Sequence, residues 1–153
     1  MAIGDAPQLN TEPTQTLELK EKINLRILYA EDNALIRDFL LKLLKERYSV
    51  VESVTNGKLL MEKLMTPGIS YDCVLADNDM PLKTGLEALK EIREIEKLKN
   101  LPVIMLTGDF DPYGRLKTNV LKLGANAYIE KPPKEEELYE IIERLTQKPE
   151  PVE

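Results

Sequence analysis

The sequence predicts an α/β fold, a five-stranded parallel sheet with helices on both faces, and three observations lead there. Short apolar runs alternate five times with segments whose apolar residues recur at helical spacing. Glycine and proline punctuate the junctions, as at Asn56-Gly57, Pro67-Gly68, Pro102 and Gly124. The chain has 153 residues, 42% hydrophobic and 31% charged, which suits one domain whose core needs no disulfide or structural metal.

Residues 1–24, rich in Thr, Gln, Pro and charge, read as a flexible lead-in that turns helical near Leu17 to Lys22. The first strand is predicted over Leu25 to Ala30. Asn33 then caps a helix whose Leu35, Ile36, Phe39, Leu40, Leu43 and Leu44 share one face. The second strand, Tyr48 to Ser53, leads through Asn56-Gly57 into a short helix, Lys58 to Met65, which Pro67-Gly68 stops. A third strand covers Cys73 to Ala76. After Pro81 and Gly85 comes a helix carrying Leu86, Leu89, Ile92 and Ile95, and Pro102 opens the fourth strand, Val103 to Leu106. Leu116, Val120 and Leu123 mark the fourth helix, which Gly124 ends. The fifth strand is Ala127 to Ile129, and Leu138, Ile141, Ile142 and Leu145 form the i, i+3, i+4, i+7 stripe of the last helix. The domain therefore spans 25–146, with 147–153, containing Pro149 and Pro151, as a flexible tail.

Composition excludes several functions. A net charge of −6 without a strong basic cluster argues against direct nucleic-acid binding. The absence of histidine removes His-based triads, imidazole metal sites and a phosphohistidine carried by this chain. The single cysteine, Cys73, cannot form an internal disulfide and reads as a small buried thiol, in keeping with a reducing, cytoplasmic setting. No apolar run approaches the roughly 20 residues of a membrane helix, and Met1 to Gln15 lack the pattern of a secretory signal, so a soluble chain is expected.

In an open parallel sheet, ligands bind beyond the carboxyl ends of the strands. There the sequence places Glu31-Asp32 after strand one, Asp77 with nearby Asp79 after strand three, Thr107 after strand four and Lys131 after strand five. Taken singly, each has a plainer role: Glu31-Asp32 could favour a helix dipole, Asp77 and Thr107 could serve turns, and Lys131 could be a solvated charge. Their joint arrival at strand ends favours a site. Crowded carboxylates repel, and a divalent cation relieves the repulsion. An oxygen-only set favours Mg2+, which is commonly shared between carboxylates and a phosphate oxygen. This points towards phosphoryl transfer, in which a carboxylate can act as the nucleophile while the metal, Lys131 and the Thr107 hydroxyl would answer the transferred oxygens.

The run Ile27-Leu28-Tyr29-Ala30-Glu31-Asp32-Asn33 resembles the opening of response-regulator receiver domains. Asp72 to Pro81 with Gly85, Pro102 to Gly108, and Gly124 to Pro132 are similar to that family's phosphoacceptor segment, fourth strand and fifth strand. The resemblance implies the flavodoxin-like strand order 2-1-3-4-5, with Asp77 accepting a phosphoryl group from a histidine kinase or histidine phosphotransfer domain. It implies Mg2+, with Mn2+ as a substitute, on Asp32, Asp77 and the main-chain carbonyl of Asp79, with Glu31 acting through water. Lys131 would pair with the phosphate, the Lys131-Pro132 bond would be cis, and Thr107 and Tyr128 would form a switch. That switch would alter the face of the fourth helix, fifth strand and fifth helix, where a homodimer or an effector would bind. Asp79 and Asp109 lie where phosphoryl lifetime is tuned, and Pro133 departs from the aromatic common at its position. Two other readings compete. One is a Mg-dependent phosphohydrolase of the haloacid dehalogenase type, suggested by Asp77-Asn78-Asp79 but opposed by an acidic pair that precedes it. The other is a degenerate receiver serving only as a binding module. A stand-alone regulator and a receiver within a longer protein, such as a hybrid histidine kinase, are both compatible with the chain.

Overall fold

The computed structural model describes residues 21–147. Five strands and five helices alternate: β1 (Ile23–Ala30), α1 (Ala34–Arg47), β2 (Tyr48–Val54), α2 (Gly57–Leu64), β3 (Cys73–Asp77), α3 (Gly85–Glu94), β4 (Val103–Thr107), α4 (Arg115–Lys122), β5 (Ala127–Glu130) and α5 (Glu135–Thr146). The strands are all parallel and ordered β2-β1-β3-β4-β5. Every residue of β3 and β4 is buried, as expected of central strands covered on both faces. Side-chain alternation divides the core in two. Leu28, Val74 and Met105 pack with α2, α3 and α4 residues such as Leu60, Leu89 and Val120. Ile27, Leu75, Ile104 and Ile129 pack with Leu40 and Leu44 of α1 and Leu138 and Ile142 of α5.

The five strands and five helices predicted for the domain are all present, and some of their boundaries need correction. Ile23 and Asn24, assigned to the lead-in, belong to β1, because the strand begins pairing at Ile23 with Tyr48. Strands β3 and β4 run one residue further, so Asp77 and Thr107 are strand residues rather than residues beyond strands. Residues 17–20 of the expected N-terminal helix lie outside the described residues, and Glu21 and Lys22 are not helical. Residues 148–153 of the expected tail also lie outside them.

The six apolar residues of α1 do not form one buried face. Leu40 and Leu44 are buried, but Leu35 is 83% and Phe39 66% exposed. The first turns of α1 lie at the carboxyl edge of the sheet, where they face Gly108 and the loop of Pro132 and Pro133 across a groove. The other end of α1 is fastened to α5: Arg47 makes two bonds to Glu143 (2.6 and 3.0 Å), and Tyr48 Oη donates to the same carboxylate (2.7 Å). Lys134, which follows Pro133, stands at the N-cap of α5 and gives no side-chain cap, and Glu135, Glu136 and Glu137 in the first turn answer the helix dipole instead.

Arg93 joins α3 to the entry of β4 and β5. It donates to the carbonyls of Gly124 (2.9 Å), Leu101 (2.8 Å) and Lys99 (3.2 Å) and to Asn126 Oδ1 (2.9 Å). Asn126 Oδ1 also accepts from Val103 N (2.9 Å), so one guanidinium holds the loops that set both strands in register. Arg93→Ala is expected to lower stability by about 2–3 kcal/mol, because several carbonyls lose a charged donor together. Urea titration would show this as a lower midpoint at unchanged slope, and an unchanged midpoint would contradict it.

Candidate functional site

The carboxyl edge of the sheet collects the predicted residues. β1 ends at Ala30, and the backbone N–H of Glu31 still bonds to Val54 (3.0 Å), which directs the Glu31 side chain into the interior, 1% exposed. Asn33 Oδ1 caps α1 by accepting from Ile36 N (3.0 Å), so capping falls to Asn33 and the neighbouring carboxylates are free for chemistry. Glu31 Oε2 accepts from Asn33 N (3.2 Å), and Arg37 braces the turn by donating to the carbonyls of Glu31 (3.0 Å) and Asp32 (3.4 Å).

Asp77 sits at the end of β3, with its loop folded back beneath it. A Cβ on Gly85 would meet the Asp77 carbonyl at 2.4 Å, so only glycine allows α3 to start there. Asn78 fixes the turn through its carbonyl, which accepts from Gly85 N (3.1 Å), and its side chain, which accepts from Leu86 N (3.1 Å). Thr84 and Glu87 then form a reciprocal capping box. On the far side, Lys131 N donates to the Thr107 carbonyl (2.8 Å), and the Lys131-Pro132 peptide is cis, as expected.

Lys131 Nζ lies 3.0 Å from Glu31 Oε1 and 3.1 Å from Asp77 Oδ1. Carboxylate oxygens of Glu31, Asp32 and Asp77 all fall within 4.8 Å of one another, three negative groups facing one ammonium. Burial, and then the charge of Glu31, push the Asp77 carboxyl up to about 6 against the opposing pull of Lys131. For Lys131, burial disfavours the charge, but the bonds and charges of Glu31 and Asp77 outweigh it and the pKa is raised. Asp79 is held above the usual carboxylate range first by the Asp109 carboxyl beside it and then by burial. Thr107 is buried, and its Oγ1 accepts from Asp109 N (3.1 Å). Tyr128 is half-buried against the α2–α3–α4 side of the core, with its hydroxyl interior and without a hydrogen-bond partner.

The structure thus brings Glu31, Asp32, Asp77 and Lys131 into direct contact range and pairs Asp79 with Asp109 at the rim. Thr107 is bonded to the Asp109 backbone, and Tyr128 stands on the neighbouring strand, in register with Met105. Crowded oxygen donors with a negative excess and a raised Asp77 fit a hard divalent cation such as Mg2+. Sequence reasoning missed Asn78 and Arg37, which carry no periodicity signal, and the exposure of the first apolar turns of α1, which helical spacing does not reveal. It also missed Tyr29, fully buried beside Glu31, whose one signal is an aromatic ring in an otherwise aliphatic strand end.

The profile described as the response regulator receiver domain matches residues 27–143. The autoinducer 2 sensor kinase/phosphatase LuxQ of Vibrio vulnificus is 38% identical over 117 residues, covering 76% of this chain and 13% of that protein. The peroxide stress-activated histidine kinase mak3 of Schizosaccharomyces pombe is 30% identical over 143 residues, 91% of this chain and 6% of that protein. Among solved structures, the receiver domain of a Pseudomonas aeruginosa sensor histidine kinase, described with a magnesium ion coordinated in its active-site cleft, superposes with a TM-score of 0.71. It is 29% identical, and the match covers 82% of this chain and 100% of that one. The chain spans only a small part of the length of the curated relatives it matches.

Proposed function

Because the chain belongs to the response regulator receiver domain family, we propose that Asp77 accepts a phosphoryl group from a phosphohistidine on a histidine kinase or histidine phosphotransfer domain. The observation that carries this reading is a buried carboxylate, Asp77, which Lys131 bridges to Glu31 in a pocket with excess negative charge. A carboxylate oxygen of Asp77 attacks phosphorus, the P–N bond to the donor imidazole breaks, and the imidazole leaves with its electron pair and takes up a proton. The product is an acyl phosphate. Asp32, Asp77, the main-chain carbonyl of Asp79 and, through water, Glu31 would hold Mg2+, which supplies positive charge to the transferring oxygens. Lys131 pairs with the phosphoryl group, and the Thr107 hydroxyl turns towards it while Tyr128, whose hydroxyl already lies interior, repacks in response, changing the α4-β5-α5 face offered to a homodimer or an effector. Asp79 and Asp109 set the acyl-phosphate lifetime by orienting or repelling water. The phosphohydrolase reading is not favoured, since the acidic pair Glu31-Asp32 follows β1 rather than Lys131.

Incubation with acetyl phosphate, with and without Mg2+, followed by intact-mass measurement tests the proposal. A single Mg-dependent phosphoryl adduct supports it. Turnover of varied phosphate esters would favour the phosphohydrolase, and no adduct from any competent donor would leave a binding module.

The α1 apolar residues supply a surface for the donor. Leu35, Ile36, Phe39, Gly108, Pro132 and Pro133 line a groove of about 500 Å³ that Lys131 also borders, so a protein seated there would present its phosphohistidine to Asp77. Phe39→Asp is expected to slow transfer from a phosphohistidine protein at least about tenfold while leaving adduct formation from acetyl phosphate unchanged. Equal loss with both donors would place the effect in the site rather than in docking.

A further inference from the structure

Tyr29 stands two residues before Glu31 on the same face of β1, fully buried in the α1–α5 side of the core with Ile27, Leu40 and Leu75. Its hydroxyl makes no hydrogen bond of ordinary geometry, although the Glu31 carboxylate lies close enough for a weak one, and the Asp77 carboxylate acts on it from further off. A phenylalanine would fill the same space without an unpartnered polar atom, so the hydroxyl is a cost in the resting arrangement. Glu31 is equally enclosed, and its partners are divided: Oε1 takes Lys131 Nζ at 3.0 Å and Oε2 takes Asn33 N at 3.2 Å.

Phosphorylation disturbs that division. The reading of Asp77 as phosphoacceptor, on which this inference rests, places new anionic oxygens within reach of the single ammonium of Lys131. As Lys131 turns to them, Glu31 Oε1 loses its cation while remaining 1% exposed, and a buried carboxylate oxygen requires another donor. Tyr29 Oη is a donor already in place beside Glu31, with no well-formed bond to it. We propose that Tyr29 is a positioning residue for the phosphorylated state: its hydroxyl donates to Glu31 when Lys131 leaves, so that Glu31 keeps its place beneath the metal and phosphoryl oxygens. The hydroxyl is then weakly held in the resting protein and fully bonded in the phosphorylated one, a difference that favours the second state.

The test compares wild type with Tyr29→Phe, using Mg2+ alone and Mg2+ with beryllofluoride as the phosphoryl mimic. The variant is expected to keep or slightly raise its unfolding midpoint and to bind Mg2+ as wild type does. Its beryllofluoride affinity should fall about tenfold, the effect of one hydrogen bond to a charged group. In wild type, NMR should show the Tyr29 hydroxyl proton moving downfield and exchanging more slowly when beryllofluoride is added. Unchanged beryllofluoride affinity, equal weakening of both ligands, or a hydroxyl resonance that does not move would overturn the proposal. Wild type that takes no beryllofluoride at all would overturn the phosphoacceptor reading itself and this inference with it.

Discussion

Asp77→Asn is expected to abolish the phosphoryl adduct and, in metal-free protein at neutral pH, to raise the unfolding midpoint. The first effect follows because a carboxamide is a poor nucleophile and Asp77 is the carboxylate that Lys131 holds in place. The second follows from the direction of its titration. Burial and the Glu31 charge raise the folded carboxyl to about 6, above the roughly 3.9 of an unfolded aspartate. Between those values the unfolded chain has ionised while the folded one keeps its proton, so stability falls as pH rises through that window. Above it the full penalty stays, about 2–3 kcal/mol, which the neutral amide does not incur. Melting curves without metal should therefore diverge between pH 4 and pH 6 and run parallel at pH 7. Added Mg2+ should restore wild type more than the variant, because the variant has lost one anionic ligand. An adduct that persists in Asp77→Asn would move the acceptor to another carboxylate, and coincident melting curves across this range would contradict the electrostatic account.

Lys131→Ala should slow phosphorylation by acetyl phosphate at least about 100-fold and cost about 3 kcal/mol of stability. The ammonium bonds at once to two carboxylates that are otherwise enclosed, Glu31 at 1% and Asp77 at 4% exposure. Its loss leaves them facing each other with no cation between them, and the Asp77 carboxyl is then expected to titrate higher than in wild type. Single-turnover kinetics measures the first effect, denaturant unfolding the second, and carboxyl NMR the third. A rate within threefold of wild type would show that the phosphoryl oxygens are neutralised by other groups. Loss of rate without loss of stability would mean that the carboxylates have found new partners.

Asp77 illustrates how far sequence reasoning reaches. The apolar run Cys73-Val74-Leu75-Ala76 has the length and composition of a fully buried strand, and parallel topology requires that its carboxyl end, where Asp77 stands, lies at the edge where ligands bind. The same logic located Glu31, Asp32, Thr107 and Lys131. It left the burial of α1 open, because helical spacing shows which residues share a face but not whether anything stands opposite that face. Leu40 and Leu44 meet the sheet, and Leu35 and Phe39 meet a groove. Tyr29 was legible as a core residue and nothing more, since neither its missing partner nor the nearness of Glu31 has a local sequence signal.

By itself the sequence determined the five repeated units, the carboxyl edge as the place where the acidic residues and Lys131 gather, and the oxygen-and-ammonium character of that cluster. These depend on local periodicity and on the order of elements along the chain, which short-range sterics and the burial of alternate side chains largely dictate. The tertiary structure alone decided that Lys131 bridges Glu31 and Asp77, that Asp109 presses on Asp79, and that Tyr29 carries a spare donor. Lys131 and Glu31 are 100 residues apart in the chain. Their 3.0 Å contact, like the Coulomb energies that arise from it, exists only once the strands are packed side by side.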